Sequence, residues 1–183
     1  IIGKTFEQRE QIVATFTAPE NHKNLNDIRL RHLDGQKQGA TQDIPLVIHL
    51  GYNVHGNEPS SSEAAMLTAY YLTASESEET LNWLKKMVIL MDPVINPDGR
   101  DRHTHWANMH KGTPPVADPI DREHTEIWPG GRGNHYWFDL NRDWFLGTFP
   151  ETRNRIEFFH KWRPYVQTDH HEMGTNSTFY FDP

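Results

Sequence analysis

Ile44-Pro45-Leu46-Val47-Ile48-His49-Leu50 is an apolar run of strand length, and Pro59-Ser60-Ser61-Ser62-Glu63-Ala64-Ala65-Met66-Leu67 opens a helix with Pro in its first turn. Between them stands His55-Gly56-Asn57-Glu58. Strand, loop, helix is the order of an α/β unit, and such units carry their chemistry on the loops that leave the strand ends. In this loop an imidazole and a carboxylate lie close enough to grip one ion from a single turn of backbone. A second imidazole from a distant His would complete a set of two His and one Glu, which leaves zinc one position open for water. Alone, H-x-x-E carries little weight in a chain with 12 His and 25 acidic residues. Its setting between strand and helix gives it weight.

Outward from this unit, the helix is expected to run from Pro59 to about Thr73, with Ala64, Leu67, Tyr70 and Tyr71 as its core face. A second helix is expected from about Glu78 to Lys86, followed by the apolar strand Met87-Val88-Ile89-Leu90-Met91. Strand, helices, strand predicts a parallel crossover and hence an α/β fold. Upstream, Val13-Ala14-Thr15-Phe16 and Asp27 to Leu33 alternate like half-exposed strands, with Asp34-Gly35 as a turn, which suggests a β-ribbon at one edge. Downstream, Asn96-Pro97-Asp98-Gly99 reads as a turn with Gly free to take positive φ. No periodicity persists from Arg100 to Trp137, where Pro and Gly punctuate the run, so a long loop is expected. A helix from about Pro150 to Trp162 offers Ile156, Phe159 and Trp162 for one face, and Tyr165 to His171 is a candidate buried strand. There is no internal repeat and no low-complexity tract.

Composition narrows the function. At 183 residues one domain is expected, long enough to bury a sizeable core. The net charge is −7 and no basic cluster would track phosphates, so nucleic acid is not an expected partner. No apolar run approaches the roughly 20 residues that span a bilayer, so membrane insertion is not expected. The opening residues lack a leader's charged-then-apolar pattern, which fits a processed or trimmed start. Without Cys there are no disulfides or thiolate ligands, and any metal must be held by His and carboxylate. That does not decide the compartment, although a periplasmic or secreted location is favoured over a cytoplasmic one.

Four ordered segments resemble the zinc metallocarboxypeptidases of the carboxypeptidase A type: His55 to Glu58 (H-x-x-E), Asn96 to Gly99 (N-P-D-G), Asp139 to Arg142 (D-x-N-R) and Asp169 to His171 (D-x-H). The resemblance covers nearly the whole chain. It implies a mixed, mostly parallel twisted sheet flanked by helices, with residues 1–183 as the N-terminal and central part of a single catalytic domain, incomplete at the C-terminus. It implies one Zn2+ per chain, held by His55, Glu58 and His171. His170 is the rival third ligand, but on a strand Asp169 and His171 share a face while His170 points to the other. The resemblance further implies that Asp139 accepts a hydrogen bond from a ligand His. Asn141 and the planar guanidinium of Arg142 would hold a substrate's terminal carboxylate. An Arg beside the zinc would stabilise the oxyanion. Arg100, Arg102, Arg122 and Arg132 are candidates; Arg132, nine residues before Asn141 as in the cytosolic carboxypeptidase branch, is the choice and Arg102 the second.

The implied reaction is hydrolysis of C-terminal peptide bonds by a zinc-activated water, with peptide or protein C-termini as substrates. In the family the general-base Glu and a capping Tyr lie beyond the D-x-H segment. Glu172 would point away from His171 and is not assigned as the base, so the chain is expected to belong to a longer enzyme. The alternatives are a zinc amidase or deacylase on the same scaffold, a catalytically silent peptide-binding module, and a structural zinc, which usually takes four protein ligands.

Overall fold

The computed structural model describes residues 1–39 and 43–174. In chain order its elements are β1 (Gly3–Lys4), β2 (Glu10–Gln11), β3 (Ala14–Phe16), α1 (Pro19–Lys23), α2 (Leu25–Gln38), β4 (Leu46–Tyr52), α3 (Pro59–Ala74), α4 (Glu78–Lys86), β5 (Met87–Asp92), α5 (Pro97–His110), a 3-10 turn (Leu140–Arg142), α6 (Pro150–Trp162) and β6 (Val166–His170). The main sheet has the order β3-β5-β4-β6. β4 runs parallel to both β5 and β6, and β3 runs antiparallel to β5. The sheet is therefore mixed and mostly parallel, as expected, and β4-α3-α4-β5 is the expected crossover.

Strand alternation sorts the core into two faces. Val47, Val88 and Leu90 pack with Ile28 of α2 and Trp162 of α6. Tyr52, Ile89 and Met91 pack on the other side with Ala65 and Leu72 of α3. Helices thus cover both faces of the sheet, which is why β5 is almost wholly buried and reads as a continuous apolar run. A third small cluster, Val54, Ile95 and Leu140, lies under the loops that leave the strand ends. Beneath α6 a polar group is also buried: Arg155 Nε lies 3.5 Å from Asp92 Oδ2, its guanidinium stands 4.0 Å from the centre of the Trp144 ring, and His49 is nearby.

Several elements depart from the sequence expectations. Residues 27–33 belong to helix α2, not to a strand, and Gly35 lies inside it. Ile28, His32 and Gly35 are its buried residues, a helical spacing that coexists with apparent alternation. Near the N-terminus β1 and β2 pair as a two-stranded ribbon, and only β3 of the expected edge strands joins the main sheet. In α3 the buried residues are Ser61, Ser62, Ala65 and Leu72, whereas Leu67 and Tyr70 are 70% and 71% exposed. Small side chains seat that helix on the sheet and turn its bulky face outward. In α6 Trp162 is buried, but Glu151, Thr152 and Arg155 accompany it and Phe159 is exposed. β6 is a half-exposed edge strand, not a buried one.

Asn96-Pro97-Asp98-Gly99 is not a free turn but the start of α5, which removes Arg100 to His110 from the expected loop. The Asn96 side chain accepts from Gly99 N at 3.0 Å and caps the helix, with Pro at its first position. Gly99 is required for closeness, not for positive φ: a Cβ there would meet Gly131 O at 2.4 Å. Asp98 is buried and accepts from Thr5 Oγ1 at 2.7 Å and from Arg9 at 3.0 Å, fastening the N-terminal ribbon to α5. From Lys111 to Asp139 the chain does run as turns and coil.

Candidate metal centre

β4 ends at Tyr52, and the buried Asn53 reverses the chain with φ 59°, a left-handed value that Asn tolerates. Its side chain donates to His55 O at 2.8 Å and Glu58 O at 3.0 Å, closing residues 53–58 into a compact loop. His55 and Glu58 are thereby set side by side, with His55 Nδ1 2.8 Å from Glu58 Oε1. Across from them, β6 delivers His171, whose Nδ1 lies 3.2 Å from Glu58 Oε2. One donor atom from each of His55, Glu58 and His171 lies within 4.8 Å of the others.

This donor set fits zinc. A tetrahedron with zinc–ligand bonds of about 2.0–2.1 Å has edges of about 3.3 Å, close to the separations found here. Each imidazole also has its outer nitrogen held by a carboxylate. His55 Nε2 lies 2.8 Å from Asp139 Oδ1, and His171 Nε2 lies 3.0 Å from Asp169 Oδ2. Such partners place the proton on the outer nitrogen and leave the inner lone pair free for a metal. The electrostatics agree. Burial opposes charge on His55, but the carboxylates of Glu58 and Asp139 outweigh it and raise its pKa. Burial likewise works against charge on Glu58, yet His55 and the Glu172 N–H outweigh it and hold the carboxyl below its ordinary value. The centre is thus an anionic nest around two rings, which a divalent cation would satisfy.

His170 turns the other way. Its ring stacks on Tyr52 with centroids 4.0 Å apart, and its Nδ1 lies 2.9 Å from Gly51 O. Glu172 donates its N–H to Glu58 Oε2 at 2.9 Å, while its own carboxylate accepts from Ser60 N and Ser60 Oγ, both at 2.6 Å, at the start of α3.

The remaining candidates placed here come from α5 and from the segment 132–142. Arg132 Nη2 lies 2.9 Å from Asp139 Oδ2 and its Nη1 3.7 Å from Glu58 Oε1, so the guanidinium stands at the rim of the centre. Arg102 instead donates to the carbonyls of Gly130, Gly133 and Asn134 and braces the backbone that carries Arg132. Arg100 pairs with Glu63 on α3. Asn141 Oδ1 accepts from Trp144 Nε1 at 3.0 Å, which fixes the amide and turns Nδ2 toward His171, 3.5 Å away. Arg142 is exposed and makes no ion pair among the described residues. Its acidic neighbours are engaged elsewhere: Asp139 with His55 and Arg132, and Asp143 with the N–H groups of Thr148 and Phe149.

Sequence reasoning gave no role to Asn53, Asp169 or Trp144. For Asp169 a signal existed, since residues two apart on a strand share a face. Three glycines complete the junction. A Cβ on Gly56 would lie 2.1 Å from both Gly99 C and Arg100 N, and one on Gly131 would lie 2.6 Å from Gly99 O. The 53–58 loop, the first turn of α5 and the stretch of coil before Arg132 therefore touch backbone to backbone.

Comparison with known proteins follows the same lines. A family model described as zinc carboxypeptidase matches residues 1–179. Probable carboxypeptidase 2 of Trichophyton verrucosum (strain HKI 0517) and carboxypeptidase 2 of Trichophyton rubrum are each 28% identical over 134 residues, 73% of this chain and 20% of the relative. Among crystal structures, a metallo-carboxypeptidase from Burkholderia cenocepacia matches with a TM-score of 0.61 at 14% identity, over 93% of this chain and 35% of that one. Carboxypeptidase A from Helicoverpa armigera matches with a TM-score of 0.60 at 17% identity, over 95% of this chain and 40% of that one. At these identities the structural likeness establishes the fold. The chain spans about a fifth of the length of the curated relatives it matches.

Proposed function

The chain belongs to the zinc carboxypeptidase family, and from that premise we propose that it supplies the metal centre and carboxylate-binding arm of an enzyme that removes residues from peptide C-termini. The observation that carries this reading is the convergence of His55, Glu58 and His171 with Arg132 at their rim. In it, residues 1–183 form the N-terminal and central part of one catalytic domain, which fits the share of the relatives' length that they span.

His55 Nδ1, Glu58 and His171 Nδ1 would hold one zinc ion. When bound, zinc supplies Lewis acidity that polarises a carbonyl and brings the pKa of a water toward about 7. Asp139 and Asp169 keep the outer nitrogens of the two rings protonated, so that both inner lone pairs point inward. Arg142, which makes no ion pair among the described residues, offers a planar guanidinium to the carboxylate of the last substrate residue, and Asn141, oriented by Trp144, adds an amide donor. Arg132 aims its N–H groups at the place where negative charge develops on the carbonyl oxygen. Glu172 is not the proton acceptor in this scheme, because Ser60 holds its carboxylate at the start of α3.

The test has two arms. Purified chain should carry about one zinc that is lost in Glu58→Ala, and the full-length protein should cleave a peptide with a free C-terminus but not its C-terminal amide. A folded chain without zinc would refute the ligand set. Equal cleavage of the amide would make the enzyme an amidase or deacylase on this scaffold.

A further inference from the structure

We propose that Glu126 is a positioning residue that holds Arg132 against the metal-ligand loop. Its carboxylate lies where three segments meet. Oε2 accepts from Asn57 Nδ2 at 2.9 Å, and Oε1 accepts from Gly131 N at 2.7 Å and faces His103 Nδ1 at 3.0 Å. Asn57 stands between His55 and Glu58, and Gly131 immediately precedes Arg132. One side chain therefore ties the loop that bears two metal ligands to the backbone that bears the arginine at its rim. The Glu126 side chain is only 13% exposed, so these hydrogen bonds are shielded from water.

The surroundings are shaped for this carboxylate. Gly130 takes φ +55°, and a Cβ there would come within 3.0 Å of Glu126 Oε2. A Cβ on Gly131 would lie 2.5 Å from His103 Cβ. Three donors converge on two oxygens, a demand that an ionised carboxylate meets and an amide does not, because Gln would turn an NH2 toward Asn57 or Gly131. Burial opposes the charge, but His103, Asn57 and the Gly131 N–H outweigh it and keep the carboxyl below its ordinary pKa. Without Glu126, the arginine would keep its contacts with Asp139 and Glu58 and the bond from Asn96 Nδ2 to its carbonyl at 3.2 Å, but no hydrogen bond among the described residues would join its segment to Asn57.

The inference rests on Arg132 acting at the oxyanion, and its test separates the two claims. Glu126→Ala and Glu126→Gln are compared in the full-length protein, with and without Arg132→Ala. Loss of positioning should lower kcat by about 10- to 100-fold, with KM and zinc content unchanged and Gln intermediate. That loss should vanish in the Arg132→Ala background, where there is no guanidinium left to position. Trypsin should also cut after Arg132 about tenfold faster in Glu126→Ala than in the parent, since the segment is freed. An equal loss of kcat in the Arg132→Ala background, loss of zinc together with activity, or an unchanged tryptic rate would each overturn the proposal. Parent protein without zinc or turnover would instead defeat the peptidase reading, and the tryptic rates, which need no turnover, would still decide whether Glu126 holds Arg132.

Discussion

Gly56→Ala probes the backbone junction at the metal centre. The added methyl would sit 2.1 Å from Gly99 C and Arg100 N and 2.6 Å from Gly131 O, all backbone atoms that no rotamer change can clear. Carbon contacts settle near 3.5–4.0 Å, so the 53–58 loop and the first turn of α5 must part by about 1.5 Å. Overpacking of this kind costs about 1–3 kcal/mol of stability. The displacement falls on hydrogen bonds that span the same junction, from Ile95 N to Tyr52 O at 2.9 Å and from Asn96 N to Asn53 O at 3.2 Å. His55 and Glu58 would therefore shift relative to His171 and Arg132. A misplacement of about 1 Å costs roughly 100-fold in rate, and zinc affinity should fall by about 10- to 100-fold, as when the groups that orient metal ligands are lost. Chelator competition measures the affinity, peptide hydrolysis by full-length protein the rate, and urea unfolding the stability. Gly39→Ala is the control: Gly39 has φ +65° at the C-terminal cap of α2, but no atom of the described residues lies within 4 Å of an added Cβ. It should lose about 1 kcal/mol and no zinc. If Gly56→Ala kept full zinc affinity and a rate within about threefold of the parent, the glycine contact would not be what positions the centre.

Arg142→Lys should raise KM for free-acid peptides by about tenfold or more while leaving zinc content intact, because a point charge replaces a bidentate fork; unchanged KM would remove Arg142 from the substrate site. Burial, with Arg155 adding to it, lowers the His49 pKa to about 4 from 6.5, whereas burial raises Asp92 to about 6 from 3.8 despite Arg155. Neutral His49 must gain a proton on unfolding between pH 4 and 6.5, so its contribution to stability rises with pH; Asp92 binds its proton more tightly when folded, so its contribution falls as pH rises from 3.8 to 6. Asp92→Asn should therefore make stability climb with pH by on the order of 3 kcal/mol over this window and His49→Gln should make it fall, as read from urea midpoints; variants that track the parent curve would sink the argument. Ser77→Ala removes the oxygen that accepts from Thr80 N at 3.2 Å and caps α4, and should cost about 1 kcal/mol in thermal or urea unfolding. No loss there would mean that Ser75 and the chain before it cap the helix.

The parts of this chain legible in sequence are those where one physical demand acts alone. β5 is apolar because both faces are covered, and α4 starts at a Ser followed by acidic residues and ends in lysines, so its bounds match the expected ones. The α5 helix could not be read, because its buried residues are Asp98 and Gly99 and no apolar stripe marks it. Its existence depends on Asn96 as cap and on partners far away in sequence, such as Thr5 and Gly131. In α3 the run from Ala64 to Leu72, apolar but for Thr68, concealed which side faces the sheet; the answer lay in Ser61, Ser62 and Ala65, whose small size permits close approach. At the metal centre the donors announced themselves through residue type. Asn53, which holds the carbonyls of His55 and Glu58, and Glu126, which ties Asn57 to Gly131 in another segment, carry no such signal.

His55 and Glu58 are neighbours in sequence, but His171 reaches Glu58 only across a separation of 113 residues. It does so because β6 lies in parallel register on β4, with Gly51 opposite Asp169 and Tyr52 opposite His170. During folding, closing so long a loop is slow and comes after local structure. The hydrogen bonds from Asn53 that close the 53–58 loop stay within residues 53–61, whereas His171 arrives only with the strand that ends the order β3-β5-β4-β6. A slip of one residue in that last pairing would present His170 in place of His171 and turn the needed imidazole to the opposite face. If His55, Glu58 and His171 hold zinc as proposed, tight binding would report that the final strand has docked on β4.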